Sequence, residues 1–209
     1  MLFLSNLSLP VLAGLLGGLL VGITFHEFSH AFVADQLGDH RVRALGRVSL
    51  NPLRHLDPLG TALMVLVGIG WGKPVPVALE SLRPGRAGMA MVGAAGPLAN
   101  VVVAVALAVV FRVVDLTLGA SGTPSPPLQF LYAAVSINLL LAILNIIPIP
   151  PLDGFAVLTA VVPPRWEYAI RRYQQYGIVV LLLLLIIPNS PVRLLLDLAY
   201  PWAALLCGI

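Results

Sequence analysis

Long uncharged runs set the pattern of this chain. Residues 1–25 carry no charge and lead into His26, with helical character continuing to about Leu37. A second apolar run, rich in Ala and Val, lies between Arg86 and Arg112. A third lies between Asp115 and Asp153, entered through the Ser-Gly-Thr-Pro-Ser-Pro-Pro segment at 121–127. Residues 173–192 form a fourth, and 194–209 a shorter fifth interrupted by Asp197 and Pro201. Each of the first four reaches the ~20 residues that a helix needs to cross a bilayer. A transmembrane β-barrel would alternate polar and apolar residues in segments of about ten. The pattern therefore predicts an all-α polytopic membrane protein: a bundle of about five transmembrane helices in a single membrane-embedded domain over 1–209.

One segment departs from this pattern. Only fifteen residues, Pro58 to Gly72, separate Asp57 from Lys73, and they include a proline and four glycines. That is short for a span and suits a re-entrant or surface hairpin near 40–80. The flanks at 41–50 and 73–79 alternate apolar and polar in places, which predicts short strands at the membrane surface.

Composition narrows the class. Hydrophobic residues make up 59% of the chain and charged residues 10%, against roughly 25% charged in a soluble domain. A soluble globule could not hide so much apolar surface, and a disordered chain would be polar and charged. The net charge of +3 calls for no nucleic-acid partner; in such a chain basic residues report orientation. With Cys207 as the single cysteine, no intrachain disulfide forms. The apolar N-terminus lacks the basic region and cleavage site of a signal peptide and reads as a retained span.

If 58–72 does not cross, residues 38–87 and 151–174 share one side and carry ten of the twelve basic residues, leaving Arg112 and Arg193 opposite. If it crosses, the split is nearly even. The positive-inside rule selects the first arrangement, a multi-pass protein of the cell membrane with its N-terminus outside. Trp71, Lys73, Trp166 and Tyr168 suit interfacial anchoring. Residues 165–172, after Pro163-Pro164, read as an amphipathic lead-in to the next span.

Against this dry background stands His26-Glu27-Phe28-Ser29-His30. On a helix, positions i and i+4 share a face, so both imidazoles can hold one Zn²⁺ while Glu27 reaches the water beside it. Ionisable groups inside a membrane helix are costly and point to function. Gly14, Gly18 and Gly22 continue the same line at four-residue steps, a spacing that admits a close neighbouring helix on the His face. A catalytic zinc needs a third protein ligand, for which Asp35, Asp57, Glu80, Asp153, His40 and His55 are candidates. Asp35 lies five residues past His30 and points elsewhere; His40, His55 and Asp57 fall in a polar loop where solvation is the default. Asp153 follows three prolines in Asn145-Ile-Ile-Pro-Ile-Pro-Pro-Leu-Asp153, which break the helix. A first helix starting near Leu9 puts His26 about 25 Å along its axis, near the far side of a ~30 Å core. That side is the one where Asp153 lies in the chosen topology, so Asp153 is the favoured third ligand.

These residues resemble the site-2 proteases, intramembrane zinc metalloproteases that carry HExxH on one transmembrane helix and Leu-Asp-Gly on a later one. His26, Glu27 and His30, with Leu152-Asp153-Gly154, match both motifs. Gly96-Pro97-Leu98-Ala99-Asn100, Gly46-Arg-Val-Ser-Leu-Asn-Pro-Leu and Trp71-Gly-Lys-Pro-Val-Pro-Val look like the short prokaryotic branch without PDZ or CBS domains. The resemblance covers roughly residues 20–160. It implies a catalytic core at about 9–160 followed by C-terminal helices at about 165–209, one zinc per chain, and cleavage of transmembrane or membrane-proximal segments of membrane-protein substrates. Regulation would fall to a separate protein.

In that chemistry His26, His30 and Asp153 hold the metal and Glu27 is the general base. Asn100 and Asn145, polar within apolar spans, could hydrogen-bond an unwound substrate backbone or simply bond between helices. Two other classes compete. A non-enzymatic chaperone of the same fold would have lost Glu27 or a ligand, and neither is lost. A metal transporter would string polar residues through several spans, and beyond Asn100, Asn138, Asn145 and Ser136 the spans are dry.

Overall fold

The computed structural model describes residues 7–57, 72–118 and 125–209. The hairpin expected at 58–72 falls, but for Gly72, outside the described residues, as do Trp71 and the Tyr168 side chain.

The first apolar run folds as helix α1, Leu9–Gln36, after an extended Ser8 and with Pro10 in its first turn. Proline suits that position because its missing N–H would have no intrahelical partner there. The helix stops at Gly38, whose φ of +116° is open to glycine and strained for other residues. A short helix α2, Arg41–Ala44, follows. The second run is α3, Arg86–Leu118, and the third is α4, Pro126–Ile146. The prolines at 148, 150 and 151 end α4, and after an irregular stretch the chain re-enters helix at α5, Asp153–Val161. Then come α6, Pro164–Gln174; α7, Gly177–Ile186; α8, Pro191–Asp197; and α9, Ala199–Cys207.

Three of these, α1, α3 and α4, are long and apolar enough to cross a membrane, and they pack against one another as the centre of the bundle. Small residues let them approach. A Cβ built on Gly18 would lie 2.6 Å from the Ala134 Cα, and one on Gly22 would lie 2.6 Å from Asn138 Oδ1. The stripe Gly14, Gly18, Gly22, His26, His30 is therefore buried as one face of α1, with α4 closed down on its glycine half. Outward-facing Val102, Val109, Val113 and Leu116 remain exposed on α3, as on a helix bathed by lipid.

Two expectations need correcting. No strand forms among the described residues: the 41–50 flank is partly helical, and only an isolated bridge joins Leu56 to Gly72. The 73–79 flank spends its polar groups elsewhere, as when the Ala78 N–H donates to Asp39 at 2.9 Å. The fourth and fifth runs also do not make two separate spans. Pro188 and Asn189, the latter at φ 56°, break the chain, and α7 meets α8–α9 at 65°, so the unit supplies at most a fourth span. Ala199, Ala203 and Cys207 of α9 pack with Ala108, Phe111 and Leu128, and Arg112 donates to the carbonyls of Leu205 and Leu206 at 3.1 and 2.7 Å. The end of α9 thus lies at the same end of the bundle as Ser8, which bonds Gln129.

Candidate metal centre

The cluster forms where α1, α3 and α5 converge. Nε2 of His26 lies 3.0 Å from Nε2 of His30, and Asp153 Oδ2 lies 3.0 and 3.3 Å from the two nitrogens. Asp153 reaches this point as the first residue of α5, which α3 holds close. A Cβ on Gly93 would be 3.0 Å from the Asp153 carbonyl oxygen. At Gly154 a side chain would run into the carbonyls at the end of α4, so glycine is needed where the chain doubles back.

The hydrogen bonds around the rings fix their protons. His30 Nδ1 sits 2.7 Å from the Val92 carbonyl, which can only accept, so this nitrogen donates. His26 Nδ1 sits 2.7 Å from Asn100 Oδ1. Asn100 Nδ2 donates to the carbonyl of Gly22 and to Asn138 Oδ1, each at 3.2 Å. Asn138 Nδ2 in turn donates to the carbonyls of Gly18 and Ala134. The chain of amides leaves Asn100 Oδ1 as an acceptor, and His26 must donate from Nδ1. In the neutral rings both Nε2 atoms are therefore bare lone pairs. They face each other and a carboxylate oxygen that is buried without a hydrogen-bond partner. One added proton would let a single ring donate to Asp153 but leave the other ring's lone pair facing it, and protonating both rings would put two cations 3.0 Å apart. A cation resolves the conflict. Bonds of ~2.0–2.1 Å to a tetrahedral ion set ligand atoms ~3.3 Å apart, close to the spacing found, and the outer hydrogen bonds supply the usual orienting shell.

Gly96 supplies the space for this arrangement. A Cβ there would come within 2.6 Å of Cε1 of both His26 and His30. Glu27, beside the cluster, lines a cleft of about 430 Å³ together with His30, Val75, Asp153, Phe155 and Gln174.

The remaining candidates separate from the site. Asp35 is buried but holds Arg43 at 2.6 Å and His40 at 3.0 Å. His40 stays largely exposed, and Glu80 lies on the surface beside a neighbouring cleft. His55 is not solvated as expected: it is fully buried, with Nε2 2.5 Å from the Ser49 carbonyl. Burial lowers its pKa, the bond to Ser49 opposes this, and the cations of Arg47 and Arg54 add to the lowering. Of the two roles open to Asn100, the bond between helices is the one its surroundings favour: it is fully buried and its amide is bonded to His26, Gly22 and Asn138. Asn145 is half-buried, its Nδ2 bonded to the Leu141 carbonyl. Sequence reasoning missed Val92 and Arg47, and it marked Gly96 only as part of a family-like motif, with no role assigned. Gly96 stood four residues before Asn100 on one helix face, a usable signal. A backbone acceptor such as Val92 leaves no side-chain signal at all.

Apolar helices carrying a His/His/Asp array beside a glutamate have the build of a membrane-embedded metallohydrolase. A profile described as "Peptidase family M50" matches residues 117–188, a stretch that includes Asp153. The Bacillus subtilis protein named "Putative zinc metalloprotease YwhC" is 35% identical over 173 residues, covering 81% of this chain and 78% of that one. The Mycolicibacterium smegmatis "Putative zinc metalloprotease Rip2" is 33% identical over 178 residues, 83% of this chain and 66% of its own length. "Zinc metalloprotease MJ0392" of Methanocaldococcus jannaschii is 26% identical over 150 residues, 72% of this chain and 34% of that one. No solved structure matches. The chain belongs to peptidase family M50, the site-2 proteases.

Proposed function

We propose that this protein is a zinc metalloendopeptidase that hydrolyses peptide bonds in transmembrane or membrane-proximal segments of membrane proteins. One observation carries the reading: three buried ligand atoms, His26 Nε2, His30 Nε2 and Asp153 Oδ2, converge within 3.0–3.3 Å of one another, and Oδ2 has no hydrogen-bond partner. His26, His30 and Asp153 would hold the ion, which, when bound, supplies Lewis-acid polarisation of the scissile carbonyl and a more acidic water. Glu27 takes the proton of the attacking water and returns it to the leaving amine nitrogen. Asn100 and Val92 keep each imidazole in the tautomer that offers Nε2 inward. A helical substrate has its carbonyls occupied, so it must unwind locally to enter the cleft. Asn145, at the end of α4, is available to bond such an unwound backbone.

The site lies toward the Asp153 end of the bundle, the side that bears most of the arginines and that the positive-inside rule makes cytoplasmic. The N-terminus and the end of α9 then lie outside, and 1–209 acts as one membrane domain within the lipid bilayer. A separate protein would regulate its activity.

Purified protein is expected to hold about one zinc per chain. Glu27→Gln keeps the metal and loses cleavage of a transmembrane reporter by a factor of ~10²–10⁴. Full zinc retention in Asp153→Ala refutes the ligand set, and an active Glu27→Gln refutes the mechanism.

A further inference from the structure

Beside the cluster, the loop that joins α1 to α3 buries a cation. Arg47 is 5% exposed, although it lies outside the spans. Its two terminal nitrogens donate to the carbonyls of Arg54 and Lys73, drawing together the two described ends of the loop. Lys73 N also donates to the His55 carbonyl at 2.7 Å, and Leu56 bridges to Gly72. The folded loop rests on α1 at Glu27: a Cβ built on Gly72 would lie 3.2 Å from Glu27 Oε1 and 3.2 Å from the His55 carbonyl oxygen. Arg47 Nη2 is 4.0 Å from Glu27 Oε2, and among the described residues Glu27 is its salt-bridge partner. Arg47 Nε is buried without a hydrogen-bond partner. A buried arginine of this kind is costly, because desolvation of the charge is offset only by well-placed partners. If the loop needed only an anchor for two carbonyls, a neutral donor would serve at less cost.

We propose that Arg47 is a positioning residue, which holds the Glu27 carboxylate toward the cleft and makes that orientation conditional on a folded Gly46–Asp57 loop. The guanidinium is suited to this because its planar fork can bind two carbonyls and still face a carboxylate, which a lysine ammonium cannot do with the same geometry. The proposal rests on the reading of Glu27 as general base. It adds that the base is oriented from the loop rather than from its own helix.

The experiment has two arms on full-length protein in proteoliposomes. In the first, kcat and KM for a transmembrane reporter are measured for wild type, Arg47→Gln, Arg47→Lys, Glu27→Asp and the double variant Glu27→Asp/Arg47→Gln. A misplaced catalytic group costs about 10²-fold. The expected result is a loss of that order in kcat for Arg47→Gln, with KM and zinc content unchanged and a smaller loss for Arg47→Lys. Because Arg47 acts through the Glu27 carboxylate, the double variant loses no more than its worse parent. Multiplying losses, unchanged kcat in Arg47→Gln, or an equal loss of zinc would each overturn the proposal. The second arm needs no activity: tryptic cleavage after the exposed Arg54 is timed in wild type, Arg47→Gln and Glu27→Gln. Cleavage through local opening follows the population of the open loop. Both variants are expected to be cut several-fold faster. A Glu27→Gln rate equal to wild type means that the loop does not depend on Glu27, and the proposal falls. If wild type cleaves no reporter, the protease reading fails, while the tryptic arm still decides the pairing.

Discussion

Asn100→Ala isolates the hydrogen bond that orients His26. The wild-type amide accepts from His26 Nδ1 at 2.7 Å and donates to the Gly22 carbonyl and Asn138 Oδ1, all in a site with no exposure at Asn100. Alanine leaves the His26 Nδ1–H and Asn138 Oδ1 buried without partners. Each such group costs about 1–3 kcal/mol, so the apoprotein should lose about 2–6 kcal/mol in stability. The metal should be affected separately. Without its acceptor the imidazole can turn or change tautomer, and removing an outer partner of a ligating histidine typically costs 10–100-fold in affinity, or about 1.4–2.7 kcal/mol. The assay is competition for zinc against a chromogenic chelator, with thermal unfolding of the metal-free protein alongside. Asn138→Ala, one hydrogen bond further out, should weaken zinc binding less than Asn100→Ala. A folded Asn100→Ala that binds zinc within twofold of wild type would refute the orienting role and with it the tautomer argument.

Gly96→Ala puts a methyl 2.6 Å from both imidazole Cε1 atoms, on a helix backbone that cannot easily yield. Overpacking of this kind costs about 1–3 kcal/mol, and the rings must spread, so zinc per chain and melting temperature should fall together. At the loop, the Arg41 guanidinium bonded to both oxygens of Asp39 holds its carboxyl down at about 2, against a usual 3.8. A depressed carboxyl stabilises the fold above its unfolded value, and that contribution is lost as pH falls from about 4 through about 2. Hydrogen exchange at the Ala78 amide, which donates to Asp39 Oδ2, should show protection at pH 5 that weakens across this window, and Asp39→Asn should weaken it already at pH 5.

What the sequence alone determined is what local chemistry encodes. Apolar runs in a chain with 10% charge demand lipid, because no soluble surface could carry them. Four-residue spacing puts His26 and His30 on one face of a helix whatever surrounds it. Prolines at 148, 150 and 151 must end α4, and Asp153 was legible as a partner because helix rise set the depth of His26 and the bias of basic residues put Asp153 at the same end. The tertiary structure decided what depends on helix rotation and register. α1, α3 and α4 are apolar on nearly every side, so no amphipathic stripe announces which face of α3 meets the histidines. Asn100 therefore read equally as a substrate contact or a bond between helices, and packing set it against His26 Nδ1. The bend of 65° that merges the last two runs was hidden for a similar reason, since Pro188 marks a break but not the direction the chain takes beyond it. Arg47 is the clearest case. In the sequence it is one of ten basic residues on one side, and only the folded loop brings its charge to Glu27.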